Sequence, residues 1–172
     1  MAKRQWASEW VLAAAAVRPL PHRVRPMLLR LTAVRIGTDS HLEGGVRIVG
    51  GTSLTLGDRV FVNTGVLLDV NAPIVVEDGV SIACDAKLIT TTHEPGPPER
   101  RAGVPGSKPV RIGAGTWIGA GAIVLPGVTV APGCVVAAGA VVTANTAPDG
   151  LYAGVPARRV RDLVAAAETS DL

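Results

Sequence analysis

The chain has 172 residues, enough for one domain with a sizeable core, and its formal net charge of +3 is modest. Basic residues gather towards the two ends without a binding motif or interleaved aromatic residues, which argues against a nucleic-acid-binding surface. Aromatic residues are few, with three Trp, one Tyr and one Phe, so the core is expected to be aliphatic. No apolar run is long enough to predict a membrane span.

Residues 1–35 are predicted to form an N-terminal helical cap. Trp6, Trp10 and Val17 recur at helical spacing, and Pro19 ends that pattern. The cap would cover the open end of the repeat that follows, while the alternative is weak contact of this Trp- and Arg-rich segment with a membrane surface. Ser8 and Glu9 interrupt a faint resemblance to a signal peptide, so a cytoplasmic location is expected.

From Ile36 to about residue 147 the sequence repeats with a period of six. This period fits neither a helix nor a simple strand, and it predicts short strands joined by tight corners, three to a coil of about 18 residues. The predicted domain, 36–147, is an all-β parallel β-helix of about five coils. Its clearest inward positions are Ile112, Ile118, Val124, Val130, Val136 and Val142, each preceded two residues earlier by a small or β-branched residue.

A loop from His93 to Pro109 interrupts the repeat after the third coil. It contains five prolines and three glycines, and a loop of that length in so regular a fold indicates function or disorder. His93 follows the run Leu88–Thr92 at the end of a rigid coil and opens the loop. An imidazole mounted in this way suits a general base near neutral pH.

Residues 148–172 are predicted to form a C-terminal strand and a short helix. The strand would cover Leu151–Ala157, and the helix Arg158–Ala167. Cys84 and Cys134 fall at different phases of the repeat and are interpreted as packing residues, not as a disulfide or a zinc site.

Several motifs together resemble the hexapeptide-repeat acyltransferases, most closely the maltose, galactoside and nodulation O-acetyltransferases and their polysaccharide-modifying relatives. The resemblance covers roughly residues 36–163. The motifs that carry it are Thr90-Thr91-Thr92-His93-Glu94, Lys108-Pro109-Val110-Arg111-Ile112-Gly113, Trp117-Ile118-Gly119-Ala120-Gly121-Ala122, Ala137-Ala138-Gly139-Ala140-Val141-Val142-Thr143 and Ala153-Gly154-Val155-Pro156-Ala157-Arg158.

The resemblance implies a left-handed coil, a homotrimer with active sites between neighbouring subunits, and acetyl-CoA as co-substrate without a metal. It implies His93 as the catalytic base. Residues matched to coenzyme A binding are Trp117, Gly119, Ala120, Ala138, Thr143, Arg158 and Arg161, and those matched to acceptor binding are Asn63, Asp69 and Asn71. The alternatives are a surface position for Trp117, solvated positions for Arg158 and Arg161, and corner roles for Asn63, Asp69 and Asn71.

Two departures from the family pattern concern binding. Where many relatives carry an Asp, this chain has Asn71, with Asp69 close by. In the family a basic residue that contacts a phosphate of coenzyme A usually follows the residue matched by Thr143. This chain has Ala144 there, and Arg159 is a candidate to supply the phosphate contact instead.

The sequence therefore favours an acetyl-CoA-dependent O-acetyltransferase acting on a hydroxyl of a sugar or glycan precursor, with direct transfer and no covalent enzyme intermediate. N-acylation of an amino sugar or a xenobiotic amine is the alternative within the same fold. Two alternatives from other classes are a non-catalytic β-helix scaffold and a zinc carbonic anhydrase. The latter needs three converging histidines, whereas His22 falls in the predicted cap and His41 in the first coil, far from His93.

Overall fold

A computed structural model describes residues 29, 32, 34–51 and 53–163. Within these residues the chain is an all-β parallel solenoid, as the six-residue period predicts. The N-terminal helical cap predicted for 1–35, with its possible membrane contact, lies almost wholly outside the described residues, as does the segment after residue 163.

The strands form three sides of a prism, called here sides A, B and C. Side A contains β1 (Val34–Ile36), β4 (Leu54–Leu56), β7 (Ile74–Val76), β12 (Val110–Ile112) and β15 (Thr129–Val130). Side B contains β2 (His41–Leu42), β5 (Phe61–Val62), β8 (Ser81–Ile82), β13 (Trp117–Ile118), β16 (Val135–Val136) and β18 (Gly150–Ala153). Side C contains β3 (Arg47–Val49), β6 (Leu67–Asp69), β9 (Lys87–Ile89), β14 (Ile123–Val124) and β17 (Val141–Val142).

Each strand pairs in parallel with the equivalent strand one turn above and below. On side B, for example, Trp117 is in register with Ser81 on one side and with Val135 on the other. Within the described residues, β1 to β17 make five complete three-sided turns and β18 begins a sixth, against the five or so coils expected.

The predicted inward positions form the core. The six from Ile112 to Val142 are at most 2% exposed, and the equivalent leucines, isoleucines and valines from Leu42 to Leu88 are buried or half-buried. Burying each such side chain contributes about 1.5–3 kcal/mol. Since no single turn can cover its own apolar interior, the fold depends on stacking.

The corners between sides A and B show how the chain turns so tightly. Their third residue has a positive φ in every turn, at Asp39, Arg59, Gly79, Gly115 and Gly133. Glycine adopts this conformation without steric cost, and Asp tolerates it better than most residues.

The loop predicted at 93–109 is an ordered antiparallel hairpin of β10 (Thr91–Pro95) and β11 (Ala102–Ser107). It leaves the prism after β9 on side C and returns to β12 on side A. It therefore projects from the C/A corner of the third turn.

The short helix predicted from Arg158 was wrong over its first half. Arg158–Asp162 forms β19, which pairs antiparallel with β18 and extends side B. The edge of β18 would otherwise carry unpaired backbone N–H and C=O groups. Residues 158–162 satisfy them by pairing as a strand, which a helix could not do. The strand predicted at Leu151–Ala157 is confirmed for its first half as β18.

Among residues 34–51 and 53–163, no helical segment has the length and apolar character that crossing a membrane requires.

Candidate active site

His93 lies on β10, exposed to solvent, and faces across the hairpin towards β11. Its Nδ1 is 3.1 Å from the carbonyl oxygen of Gly103. A carbonyl oxygen can only accept a hydrogen bond, so Nδ1 carries the proton in this contact. The neutral imidazole then has its lone pair on Nε2, and this nitrogen can accept a proton.

Asp69 lies beneath the hairpin, at the end of β6, and is 7% exposed. One carboxylate oxygen accepts hydrogen bonds from the backbone N–H groups of Thr90 (3.2 Å) and Thr91 (2.9 Å), and the other accepts one from Asn71 Nδ2 (2.5 Å). Burial alone would raise the pKa of Asp69. The hydrogen bonds from Thr91, Asn71 and Thr90 together outweigh burial and hold the pKa below its ordinary value.

Asn71 and Asn63, both matched to acceptor binding, lie at different corners. Asn71 is exposed at the C/A corner, and its Nδ2 also donates to Thr91 Oγ1 at 2.9 Å. Asn63 is half-buried at the B/C corner of the second turn, where its Oδ1 accepts the N–H of Thr64 at 2.7 Å. Side C separates the two, so one chain brings Asn71 close to the hairpin but not Asn63.

Trp117 presents its indole on the outer surface of side B, 56% exposed, while its neighbour Ile118 is fully buried. The register across side B runs from Trp117 through Val135 and Leu151 to Arg161 on β19. At about 4.8 Å per strand, the backbone positions of Trp117 and Arg161 lie roughly 14 Å apart along one row.

Gly119, Ala120 and Ala138 lie together at the B/C corner of two successive turns. A Cβ added to Gly119 would be 2.6 Å from the backbone nitrogen of Ala138, so this close approach requires glycine. The Gly139 N–H donates to the Ala120 carbonyl at 2.8 Å.

The backbone N–H of Ala120 is available for an external partner. Elsewhere a side chain caps the equivalent N–H of a corner, as Glu77 does for Ala114 at 2.8 Å and Asn63 for Thr64. Within residues 34–51 and 53–163, the Ala120 N–H donates no backbone hydrogen bond.

The basic residues of β19 divide into two kinds. Arg158 and Arg161 are exposed, and the guanidinium of Arg158 has one backbone contact, to the Ala157 carbonyl at 2.9 Å. Arg159, suggested as a substitute phosphate ligand, is committed elsewhere. It bonds the carbonyls of residues 147, 148 and 149, the Tyr152 hydroxyl and Asp162. Hydrogen bonds from Tyr152 and Asp162 raise the pKa of Arg159 above its ordinary value.

The candidate residues therefore form two groups on opposite sides of one prism. Asp69, Asn71 and His93 lie at the C/A corner, and Thr143 begins the same corner two turns further on, directly after β17. Trp117 and Arg161 lie on side B, with Arg158 on the same edge strand, and Ala120 at its B/C corner. In a triangular prism side B is opposite the C/A corner, so a single chain does not close one site.

Across the described part of the chain, no three His, Cys, Asp or Glu side chains converge in a way that could hold a metal ion. His41 lies on side B of the first turn and His93 on the hairpin, while His22 lies outside the described residues. Cys84 is half-buried and Cys134 is buried, and both are free thiols.

Sequence reasoning missed three contributors to this geometry. Gly103 supplies the carbonyl that holds His93, Thr90 connects Asp69 to the hairpin, and Tyr152 is held by Arg159. The Thr90-Thr91-Thr92 run was visible, but the carboxylate that it contacts lies 21 residues earlier, which no local pattern indicates.

Comparison with known proteins finds a family match over part of the chain. Residues 109–144 match the family described as bacterial transferase hexapeptide (six repeats). Nodulation protein L of Rhizobium meliloti is 41% identical over 69 residues, which are 40% of this chain and 37% of that protein. The chain spans less than half the length of the curated relatives that it matches.

Two solved structures share nearly the whole fold. A hexapeptide-repeat containing acetyltransferase from Vibrio cholerae, complexed with acetyl-coenzyme A, is 28% identical, with a TM-score of 0.84 over 95% of this chain and 88% of that one. A galactoside acetyltransferase in complex with coenzyme A is 25% identical, with a TM-score of 0.82 over 94% and 82% of the two chains. The chain thus carries a hexapeptide-repeat segment at residues 109–144 and shares its fold with acetyltransferases of the hexapeptide-repeat type.

Proposed function

We propose that this protein is an acetyl-CoA-dependent O-acetyltransferase that acts on a hydroxyl of a sugar or glycan precursor. The observation that carries the proposal is the contact between His93 Nδ1 and the Gly103 carbonyl, which orients the ring and, in the neutral imidazole, leaves the lone pair on Nε2. The likeness to an acetyltransferase complexed with acetyl-coenzyme A supports the donor.

In the proposed reaction, His93 Nε2 accepts the proton of the acceptor hydroxyl as its oxygen attacks the thioester carbonyl. The tetrahedral intermediate carries a negative oxygen, which the free N–H of Ala120 would stabilise. Collapse breaks the carbon–sulfur bond, and the imidazolium returns its proton to the departing thiolate. A positioned base contributes about 10²–10⁴ in rate, and direct transfer needs no enzyme nucleophile.

Side B fits the donor. The exposed indole of Trp117 offers a flat apolar surface for the pantetheine arm, and Gly119, Ala120 and Ala138 would line the thioester end. Arg161 lies at the end of the same row, and Arg158 is on the same strand. Guanidinium groups bind phosphates with paired hydrogen bonds, so these two suit the phosphates of coenzyme A. Thr143 is proposed as a further donor contact from the His93 side of the cleft.

The opposite placement of the two groups supports a homotrimer with its active sites between subunits. His93, Asp69 and Asn71 of one copy would then face Trp117, Ala120 and Asn63 of the next. The left-handed coil belongs to the same proposal and rests on the family resemblance, while the N-terminal cap of residues 1–35 and a cytoplasmic location rest on the sequence pattern. Weak membrane contact of the cap stays a prediction, which liposome binding of the intact protein would test.

The experiment is acetyl-CoA turnover, followed by thiol release, against a panel of sugars, glycan precursors and amines. Wild type, His93→Ala and His41→Ala are compared, since His41 is a second histidine that lies on side B in the first turn and outside the proposed reaction. His93→Ala is expected to lower acceptor-dependent turnover by at least about 100-fold, and His41→Ala to leave it unchanged.

The best acceptor decides between hydroxyl and amine transfer, the second of which would favour the N-acyltransferase alternative. Equal thiol release by wild type and His93→Ala would contradict the general-base role. Failure of the wild type to bind coenzyme A would contradict the transferase itself and favour a β-helix scaffold.

A further inference from the structure

Resting on the proposed acetyl transfer, we propose that Asp69 is a positioning residue. Its buried carboxylate orders the root of the His93 hairpin and turns the amide of Asn71 so that Oδ1 faces the acceptor. In this role Asp69 does not touch the substrate, and Asn71 presents a neutral hydrogen-bond acceptor suited to a hydroxyl.

The contacts of Asp69 exclude it from direct binding. Its carboxylate is buried, and both oxygens are already taken by donors from residues 71, 90 and 91. An ionised carboxylate is stable in a buried position only when hydrogen bonds replace its hydration. Two of the three donors are backbone N–H groups at the point where the hairpin leaves the prism, so the carboxylate fixes the main chain there.

The same short segment holds both legs of the hairpin. Thr90 is fully buried, and its hydroxyl donates to the Asp69 carbonyl at 2.5 Å and accepts the N–H of Asn71 at 3.0 Å. On the returning leg, Ser107 Oγ donates to the Asn71 carbonyl at 3.1 Å. Thr91 and Ser107 are also paired with each other. Residues 69–71 thus position the start and the end of the hairpin together.

The orientation of the Asn71 amide follows from its partners. A carboxylate only accepts hydrogen bonds, so the atom of Asn71 that faces Asp69 is Nδ2. Its second hydrogen is directed to Thr91 Oγ1 at 2.9 Å. Both amide hydrogens are therefore used, and within the described residues no donor contacts Oδ1, which leaves it to accept from a ligand.

Thr91 connects this cluster to the imidazole. Thr91 and His93 are two residues apart on β10, in a regular stretch of the ladder, so their side chains lie on the same face. Asn71 contacts Thr91 on that face. A shift at Asp69 would therefore move both the hydrogen-bond acceptor of Asn71 and the base.

Exchanging the two groups tests this arrangement. In Asp69→Asn, the new NH2 group would face one of two donors, either the backbone N–H groups or Nδ2 of Asn71. A donor facing Nδ2 can be accommodated only if the Asn71 amide turns so that its oxygen points inward. In Asn71→Asp, two carboxylates face each other. In the double exchange, Asn at 69 accepts the backbone N–H groups through its oxygen and donates to Asp at 71, whose second oxygen faces outward.

Each single substitution is expected to lower kcat/KM for the acceptor by about 10- to 100-fold, as a displaced base and acceptor site would, with the KM for acetyl-CoA unchanged. The double exchange is expected to lose less than either single substitution. Asp58→Asn is the matched control, since Asp58 also accepts a backbone N–H, from Thr38 at 2.6 Å, at a corner away from the hairpin. It is expected to leave acceptor kinetics unchanged.

Nitrogen-15 NMR of the His93 ring, assigned by comparison with His93→Gln, gives a readout that needs no substrate. Wild type and the double exchange are expected to show the Nδ1–H tautomer, and Asp69→Asn a mixture. The proposal would be overturned if the double exchange lowered kcat/KM by the product of the two single-variant losses. An unaltered His93 tautomer in Asp69→Asn would overturn it as well.

Should a single variant fail to fold, the double exchange decides alone: turnover near wild type supports the proposal, and a loss as large as that of His93→Ala overturns it. If the wild type turns over no acceptor, the tautomer measurement still tests the positioning role, and only the proposed function fails.

Discussion

The two halves of the candidate site are built on different principles. At the C/A corner, side chains are tied to one another: Asp69, Asn71 and Thr91 form a closed hydrogen-bonded cluster, and the Gly103 carbonyl holds His93. On side B, Trp117 stands exposed on a flat strand, held only by the rigid sheet behind it.

The difference suits the two halves to the two tasks proposed for them, holding a base and receiving a donor. A base must be held in one orientation and one tautomer, which requires hydrogen bonds within the chain. A surface that receives a long, partly apolar donor needs exposed area and free donors, which a regular sheet and an uncapped corner N–H provide. Because the halves lie on opposite sides of the prism, the proposed site would form only where one copy supplies each half.

Mixed oligomers test that separation most strongly. His93→Ala removes the proposed base, and Trp117→Glu places a negative charge on the proposed donor surface, so each is expected to be impaired when expressed alone and to regain activity when co-assembled. Random mixing in a ring gives about one quarter of sites with both intact halves. The measurement is turnover of co-expressed, doubly tagged protein, with separately purified and mixed trimers as the control. No gain on co-expression would show that each chain builds its own site.

Gly103→Ala tests the ordered half. A Cβ at Gly103 would be 2.7 Å from the Glu94 carbonyl oxygen, so the strand must shift and carry the carbonyl away from His93. We expect kcat to fall by about 10- to 100-fold with little change in the KM for acetyl-CoA. Gly106→Ala on the same strand is the matched control, because its Cβ would be 3.9 Å from Thr92 Cγ2, an ordinary contact. Equal losses in both variants would argue against a role for the Gly103 carbonyl.

Adjacent residues on β13 separate binding from folding on side B. Trp117→Ala removes an exposed ring and is expected to raise the KM for acetyl-CoA about fivefold, for roughly 1 kcal/mol of lost contact. Its melting temperature should stay close to that of wild type. Ile118→Ala, in the core directly behind, is expected to cost about 2–5 kcal/mol of unfolding free energy. Calorimetry and steady-state kinetics on both variants check the contrast.

The smallest expected effect is a pH dependence at the hairpin root. The pKa of Asp69 lies below its ordinary value in the folded state, so its carboxylate contributes stability that is present above the unfolded-state pKa and is lost as pH falls through the folded-state pKa. The stability difference between wild type and Asp69→Asn should therefore shrink as the solution is acidified from about pH 5 to below pH 3. Denaturant melts across that range measure it, and a constant difference would count against an ionised Asp69.

The repeat could be predicted because its cause is local. Ile118, Val124 and Val136 are buried for the same geometric reason at a fixed spacing, so the period in the sequence is the period in the structure. The direction in which a side chain points could be predicted for the same reason. Trp117, for example, precedes an inward isoleucine and therefore faces outward.

The remainder depends on contacts between distant segments. Asp69 is one residue past an inward leucine, and its contacts come from the backbone N–H groups of Thr90 and Thr91 in the next turn. Arg159 was a candidate for a phosphate contact, and in the structure it binds the carbonyl groups of the nearby turn at 147–149. In both cases the partners lie outside the repeat pattern, where the sequence gives no local signal.

The closed root of the hairpin would also make the candidate catalytic segment exchangeable. The Lys108 N–H donates to the Thr90 carbonyl at 2.9 Å, and Thr91 pairs with Ser107, so the two ends of the insertion are joined where it leaves side C and returns to side A. Segments of other lengths and chemistries could be grafted between Thr90 and Lys108 while the stacked core stays unchanged. New acceptor specificities could then arise by loop replacement at one corner, with the donor surface on side B inherited intact.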